Sequence, residues 1–267
     1  MAKVAVIIPT YNRFDKLLLA LESVLQQDLH VENVENVENV ENVVEVIVIN
    51  DKSDDPRYYQ KNLFPNRVKL IHLEKSSQEL FGYPCPGYVR NQGLLHAMAD
   101  IDVEYIAFLD DDDYWFPDKL HEQITCMMFN RFGMSCSDAL TGIGSYNAQK
   151  KHKYQRYNGE FAKNYIFQRT GIDFFPIFWN REYIKANNGI ICSSVVIEKR
   201  ILELASKSCA GEKFLEEDSG KKKIFLEIPK DGSDTGIYED YELWKECLKY
   251  TNCYYLEKPL LYYDRCN

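Results

Sequence analysis

The feature that most constrains this chain is a series of short, unbroken apolar runs separated by helical patterns. Val4-Ala5-Val6-Ile7-Ile8 is apolar at every position and is closed by Pro9. A strand with one wet face alternates apolar and polar residues, whereas a strand covered on both faces does not. This run therefore reads as a buried parallel strand. From Asp15 to Gln27 the period changes, and Leu17, Leu18, Leu21, Val24 and Leu25 fall on one helical face. Val43 to Ile49 repeats the buried-strand pattern and stops at the turn-rich Asn50-Asp51-Lys52-Ser53-Asp54-Asp55-Pro56. Val68 to Leu73 reads as a third strand, Tyr88 to Ala99 as a helix and Tyr105 to Leu109 as a fourth strand. Strands alternating with helices predict an α/β fold, a Rossmann-like, mostly parallel sheet flanked by helices on both faces.

Beyond Asp118 the pattern loosens. Leu120, Ile124, Met127 and Met128 mark a helix, and Cys136 to Phe167 is polar and reads as irregular. Asn188 to Ile197 reads as a strand, Glu198 to Ser206 as a short helix and Lys207 to Gly236 as a charged loop. Tyr238 to Tyr250 is a helix with Leu243, Trp244, Cys247 and Leu248 on its apolar side. Tyr254-Tyr255-Leu256 and Leu260-Leu261-Tyr262-Tyr263 read as two short strands. One segment is of low complexity: VENVENVENVEN, residues 31–42, whose three-residue period fits neither helix nor strand. It reads as an expanded surface connection, tolerated because closing a longer loop costs little more. No Pro/Gly/Ser-rich linker interrupts the chain, so residues 1–267 are expected to form one domain.

Composition narrows the function classes. A formal net charge of −9 argues against a general polyanion binder of the nucleic-acid type, which needs a basic face. It does not exclude a small phosphorylated ligand held by a cation and a few donors. Eight cysteines form no CxxC pair, which argues against structural zinc. No signal-peptide pattern and no apolar stretch near the ~20 residues of a membrane span are present. A cytoplasmic protein with free thiols is expected.

Four stretches carry chemistry. In Phe108-Leu109-Asp110-Asp111-Asp112-Asp113-Tyr114-Trp115 a buried strand runs straight into four carboxylates. Ligands of open α/β sheets bind beyond the carboxyl ends of strands. Like charges gathered there call for a compensating divalent cation with oxygen ligands. An acidic helix cap would need one or two acids, not four. Asp51, just past the second strand, can accept hydrogen bonds from a nucleobase or a ribose, or can serve as ordinary turn chemistry. Arg90, near the start of a helix in Gly87-Tyr88-Val89-Arg90-Asn91-Gln92-Gly93, can face an anion or simply lie on a helix surface. Glu239 and Asp240 open a helix, where paired acids either favour the helix dipole or supply a general base.

Taken together and in this order, these stretches resemble the family 2 glycosyltransferases of the A-type (GT-A) fold. The carrying motifs are Ile7-Ile8-Pro9-Thr10-Tyr11-Asn12-Arg13, Val48-Ile49-Asn50-Asp51-Lys52-Ser53-Asp54-Asp55 and Arg90-Asn91-Gln92-Gly93. To these are added the Asp-x-Asp (DXD) element Asp110-Asp111-Asp112-Asp113, Glu239-Asp240-Tyr241-Glu242-Leu243-Trp244 and Lys258-Pro259-Leu260-Leu261-Tyr262-Tyr263. The resemblance implies a nucleotide-sugar half near residues 1–117 and an acceptor half near 118–267. It implies transfer of a sugar from a nucleoside-diphosphate donor, UDP-linked, to an acceptor hydroxyl with inversion, in glycan biosynthesis. Pro9, Tyr11, Arg13 and Asp51 would line the base pocket, with Arg90, Asp110 and Asp111 also on the nucleotide. Asp112, with Asp110, would hold Mn²⁺ or Mg²⁺. Asp240 would be the general base, assisted by Glu239. Trp115 and Asn188 would border the cleft for a glycan, protein or lipid-linked acceptor. The alternative of a different class is a non-catalytic sugar-nucleotide-binding protein of the same fold. The chain departs from the family at Lys52, where Gly is usual, and at Asp264-Arg265-Cys266-Asn267, which has no His after the closing strand.

Overall fold

A computed structural model of the chain describes residues 3–27, 43–171, 174–187, 189–208, 225 and 238–266. The Val-Glu-Asn repeat, Asn188 and most of the 207–236 stretch lie outside the described residues. The strands are β1 (Lys3–Thr10), β2 (Val43–Asn50), β3 (Val68–His72), β4 (Val103–Phe108), β5 (Tyr114–Trp115), β6 (Met134–Gly142), β7 (Gln155–Arg156), β8 (Phe178–Trp179), β9 (Val196–Glu198) and β10 (Cys253–Asp264). The helices are α1 (Phe14–Leu25), α2 (Ser77–Phe81), α3 (Pro86–Ala99), α4 (Lys119–Asn130), α5 (Glu160–Thr170), α6 (Arg181–Ala186), α7 (Lys199–Ser208) and α8 (Glu239–Cys247).

One sheet carries the order β3-β2-β1-β4-β9-β6-β10-β5, with β7 beside β6 and β8 beside β10. β1 pairs in parallel with β2 and β4, β2 with β3, and β6 with β10, whereas β9 runs antiparallel to both β4 and β6. The six parallel strands therefore deliver their carboxyl ends to one edge. Within β1 the unbroken apolar run resolves into two faces: Val4, Val6 and Ile8 enter one core with α1 and α4, and Ala5 and Ile7 enter the other with α3 and α8. Burial on both sides is why the strand shows no polar alternation.

Helix positions follow from what each buries. α1 turns Phe14, Leu17, Leu21 and Val24 inward. α3 starts with Pro86 in its first turn, where the missing N–H costs nothing. It then lies so close to the sheet that a Cβ on Gly93 would stand 2.7 Å from Ile7 Cγ2 and 2.6 Å from Ile49 Cδ1. α8 packs Trp244 against Phe108, ring centroids 5.9 Å apart, which brings its first residues to the end of β4.

Three expectations are corrected. Residues 136–167 are not irregular: they contain most of β6, a strand buried from Met134 to Ala139, then β7 and α5. Its polarity concealed it, because Asp138 is fully buried yet accepts from the Asn158 amide at 2.9 Å and pairs with Arg156 at 2.5 Å. The two closing strands are one, β10, with register shifts around Pro259 that make the sequence look interrupted. The stretch before Ile197 is also less extended than expected: a 3₁₀ turn at Cys192–Ser194 precedes the short β9.

Candidate active site

The loops that leave β1 and β2 are tied to each other. The Asp51 amide donates to Thr10 O at 2.9 Å, Asn12 N donates to Ser53 Oγ at 2.8 Å, and Asp54 N donates to Asn12 Oδ1 at 2.9 Å. Asn12 and Lys52 both take left-handed backbone, at φ 51° and 57°. Lys52 thus holds the conformation that glycine adopts without steric cost, and its ammonium pairs with Glu79 at 2.5 Å. Asp51 is buried, with its carboxylate receiving Ser77 N at 2.7 Å and Ser77 Oγ at 2.6 Å. Burial pushes its pKa up, and the two Ser77 bonds hold it down. Pro9 is half-buried beside this loop, and Tyr11 is 49% exposed.

The four acids after β4 have four different surroundings. Asp110 stays the most open, its side chain 31% exposed, with its own amide donating to Ser193 Oγ at 3.0 Å. Asp111 accepts from Thr10 Oγ1 at 2.7 Å. Because the Thr10 hydroxyl gives its proton there, Tyr58 donates to Thr10 at 2.8 Å and accepts from the Arg13 amide at 3.0 Å. Burial raises the Asp111 pKa to about 6. Asp112 pairs with Arg13 Nη1 at 2.5 Å, and the same nitrogen lies 3.3 Å from Asp111. Asp113 turns inward, accepts the Asp264 amide at 3.0 Å, and is held well above the usual carboxylate range by burial and by Asp110 and Asp112. A run of identical residues is thus divided among a cleft, two hydrogen-bonding networks and the core.

Arg90 joins the two halves of the site. It is only 4% exposed, and its guanidinium donates from Nη1 to Glu239 at 2.7 Å and from Nη2 to Asp110 at 2.6 Å. One buried cation therefore fastens the end of β4 to the start of α8. Asn91, the next residue, exchanges two hydrogen bonds with the Phe225 backbone, at 2.9 and 2.8 Å. Asp240 follows Glu239 and is half-buried. Burial first, and the Glu239 charge next, push its pKa up to about 7 against the pull of Arg90.

The described residues predicted from sequence mostly gather at this edge: Pro9, Tyr11, Arg13, Asp51, Arg90, Asp110 to Asp112, Glu239 and Asp240. Arg13 stands on the acidic cluster, not apart from it. Trp115 does not border an open cleft, because it is fully buried, with Nε1 donating to Ser193 O at 2.8 Å and Lys119 Nζ 4.1 Å above its ring. Thr10, Tyr58, Ser77 and Ser193 were missed. Each acts through a hydroxyl whose partner is remote in sequence, so no local pattern could announce it.

An open, mostly parallel sheet with acids at the carboxyl edge and a buried arginine linking them is the arrangement of a GT-A type fold. The profile of the family described as "Glycosyl transferase family 2" matches residues 5–186. The chain belongs to this family. It is 25% identical over 237 residues to the Escherichia coli UDP-Glc:alpha-D-GlcNAc-diphosphoundecaprenol beta-1,3-glucosyltransferase WfgD, covering 80% of this chain and 81% of that one. It is 29% identical to an uncharacterized glycosyltransferase of Rickettsia felis over 162 residues, 61% of this chain but 23% of that protein. The chain thus spans under a quarter of the length of that rickettsial relative. Among solved structures, Staphylococcus aureus TarS superposes with a TM-score of 0.61 at 17% identity, covering 98% of this chain and 36% of that one.

Proposed function

We propose that this chain transfers a sugar from a nucleoside-diphosphate donor, UDP-linked, to an acceptor hydroxyl with inversion, using Asp240 as general base. The observation that carries the reading is the Arg90 bridge, which ties Glu239, the residue before Asp240, to Asp110 at one edge of the sheet. A base serves best when its pKa lies near the working pH, and the raised Asp240 meets that condition. A base on the far side of the sugar from the leaving group fits direct displacement: the acceptor proton passes to Asp240 as the acceptor oxygen bonds the anomeric carbon, and the bond from that carbon to the diphosphate breaks to release the nucleoside diphosphate. The UDP-Glc donor in the name of WfgD and a TarS structure in complex with UDP-GlcNAc support a uridine donor.

In this reading Asp51 and the exposed Tyr11 would receive the base, and Asp110 the ribose. Asp112 and Asp110 offer the hard oxygen donors that Mn²⁺ or Mg²⁺ takes. Among the described residues no three metal-type side chains converge, so phosphate oxygens of the donor would complete the coordination. A bound cation would neutralise charge developing on the leaving diphosphate. Arg13, already on Asp112, supplies positive charge at the same place.

The test is a donor panel with Mn²⁺, following nucleotide release and binding together for the wild type and for Asp112→Ala. The reading expects Asp112→Ala to lose metal-dependent nucleotide binding. Donor affinity indifferent to that change and to chelator would sink the metal assignment, and binding without transfer or hydrolysis by the wild type would favour a non-catalytic role.

A further inference from the structure

Two arginines serve the acidic cluster, and they are held in opposite ways. Arg90 is buried and spends a separate nitrogen on each of its acids, Nη1 on Glu239 at 2.7 Å and Nη2 on Asp110 at 2.6 Å. Arg13 spends one nitrogen on both of its acids: Nη1 lies 2.5 Å from Asp112 Oδ2 and 3.3 Å from Asp111 Oδ1. Its Nε and Nη2 have no hydrogen-bond partner among the described residues. The Arg13 side chain is 36% exposed, whereas those of Asp111 and Asp112 are 7% and 6% exposed. The guanidinium thus stands on the solvent side of two carboxylates, with most of its donors unused.

The backbone beneath it is fixed. The Arg13 amide donates to the hydroxyl of the fully buried Tyr58 at 3.0 Å, and its carbonyl accepts from Leu17 N at 2.9 Å in the first turn of α1. What can move is the side chain, because partly exposed rotamers interchange quickly. Asp112 is also the residue proposed to hold the divalent cation, and a guanidinium on its Oδ2 competes for that oxygen. Two cations this close also repel each other. Cation binding therefore favours Arg13 off Asp112. The unused nitrogens say what it takes instead: the N–H groups of a guanidinium form a planar fork that matches two phosphate oxygens.

We propose that Arg13 is a latch with two positions, one on Asp111 and Asp112 and one on the donor diphosphate, exchanged when a divalent cation takes Asp112. This rests on the metal-dependent glycosyltransferase reading and adds to it a positioning residue that couples the cation to the diphosphate. Such a latch lowers the apparent cation affinity by the fraction of molecules held in the first position. Removing it therefore strengthens cation binding and weakens diphosphate binding.

The test compares the wild type, Arg13→Gln and Arg13→Lys in three titrations: Mn²⁺ alone, followed by electron paramagnetic resonance of the free ion, and uridine and UDP with saturating Mg²⁺, followed by calorimetry. Thermal melts check the fold. In Arg13→Gln, Mn²⁺ affinity should rise about threefold or more and UDP affinity fall about tenfold or more, with uridine affinity unchanged. Opposite shifts are the signature, since a merely loosened site would weaken all three ligands. Arg13→Lys keeps the charge without the fork, so it should hold Mn²⁺ near the wild-type affinity and recover only part of UDP binding. In the wild type, the Arg13 Nε–H nuclear magnetic resonance signal, assigned by its loss in Arg13→Lys, should shift with Mg²⁺ and again with UDP. Equal or weaker Mn²⁺ affinity in Arg13→Gln, no Mn²⁺ binding by any of the three proteins, unchanged UDP affinity, uridine weakened as much as UDP, or an Nε–H signal indifferent to Mg²⁺ would each overturn the latch. Asp112→Ala in the same titrations separates the two readings: Mn²⁺ binding left intact by that change would strike the metal assignment itself.

Discussion

Asp240 and Arg90 show how single side chains here depend on neighbours far away in sequence. Burial and Glu239 favour the protonated Asp240, so the carboxylate that the proposed base role needs forms as pH rises through about 7. Transfer is therefore expected to climb through that pH and level off above it, in a kcat/KM profile. Asp240→Asn should keep donor binding while kcat falls by 10²-fold or more, on the order of what general-base catalysis supplies. Unchanged turnover would remove Asp240 from that role. Arg90→Gln leaves Asp110 and Glu239 without their shared buried cation and is expected to cost about 3–5 kcal/mol in urea denaturation. If that variant retains activity, its pH midpoint should move above that of the wild type, because Arg90 is the group that pulls Asp240 down.

At the scale of elements, two positions test how loops and helices are fitted to the sheet. Gly93 lets α3 rest on β1 and β2, and a methyl there meets the branched Ile7 at 2.7 Å. Gly93→Ala is expected to destabilise by about 1–3 kcal/mol through overpacking, read as a lower denaturation midpoint. Lys52 is the reverse case, a side chain placed where glycine is at ease, at φ 57°. Its pair with Glu79 is exposed and contributes little. Lys52→Gly should therefore raise stability, by no more than about 1 kcal/mol; a clear loss would mean that the Glu79 pair outweighs the backbone strain. In this chain Arg90, Asn91 and Gly93 thereby have separate tasks: an ion-pair bridge, a backbone clamp on Phe225, and a close approach to the sheet.

At the scale of the molecule, the proposed site draws on loops after β1, β2 and β4 and on the start of α8, so the proposed donor would bridge elements far apart in sequence. Such a ligand binds the folded state alone, and at one hundred times its Kd it adds about 2.7 kcal/mol of stability. UDP with Mn²⁺ is accordingly expected to raise the melting temperature by several degrees in a thermal-shift assay, and Asp112→Ala should abolish the metal-dependent part. None of the described helices is long and apolar enough to cross a membrane.

The sequence by itself determined the parallel half of the sheet, because β1, β2 and β4 are buried on both faces and that leaves an unbroken apolar signal. It determined where the acids and Asp51 meet the strand ends, because those short motifs sit next to the apolar runs; the place of Arg90 came from its two ion pairs. It did not determine β6, whose buried Ser135, Ser137 and Asp138 look like loop until their partners across the fold are known. Nor did it separate the four acids from one another. Only tertiary structure gave Asp112 to Arg13, Asp111 to Thr10, Asp110 to Arg90 and Asp113 to the β10 backbone. It alone moved Trp115 from a cleft wall into the core. The division has one physical cause: hydrophobic burial is written in local periodicity, whereas the role of a polar group is set by the partner the fold brings to it.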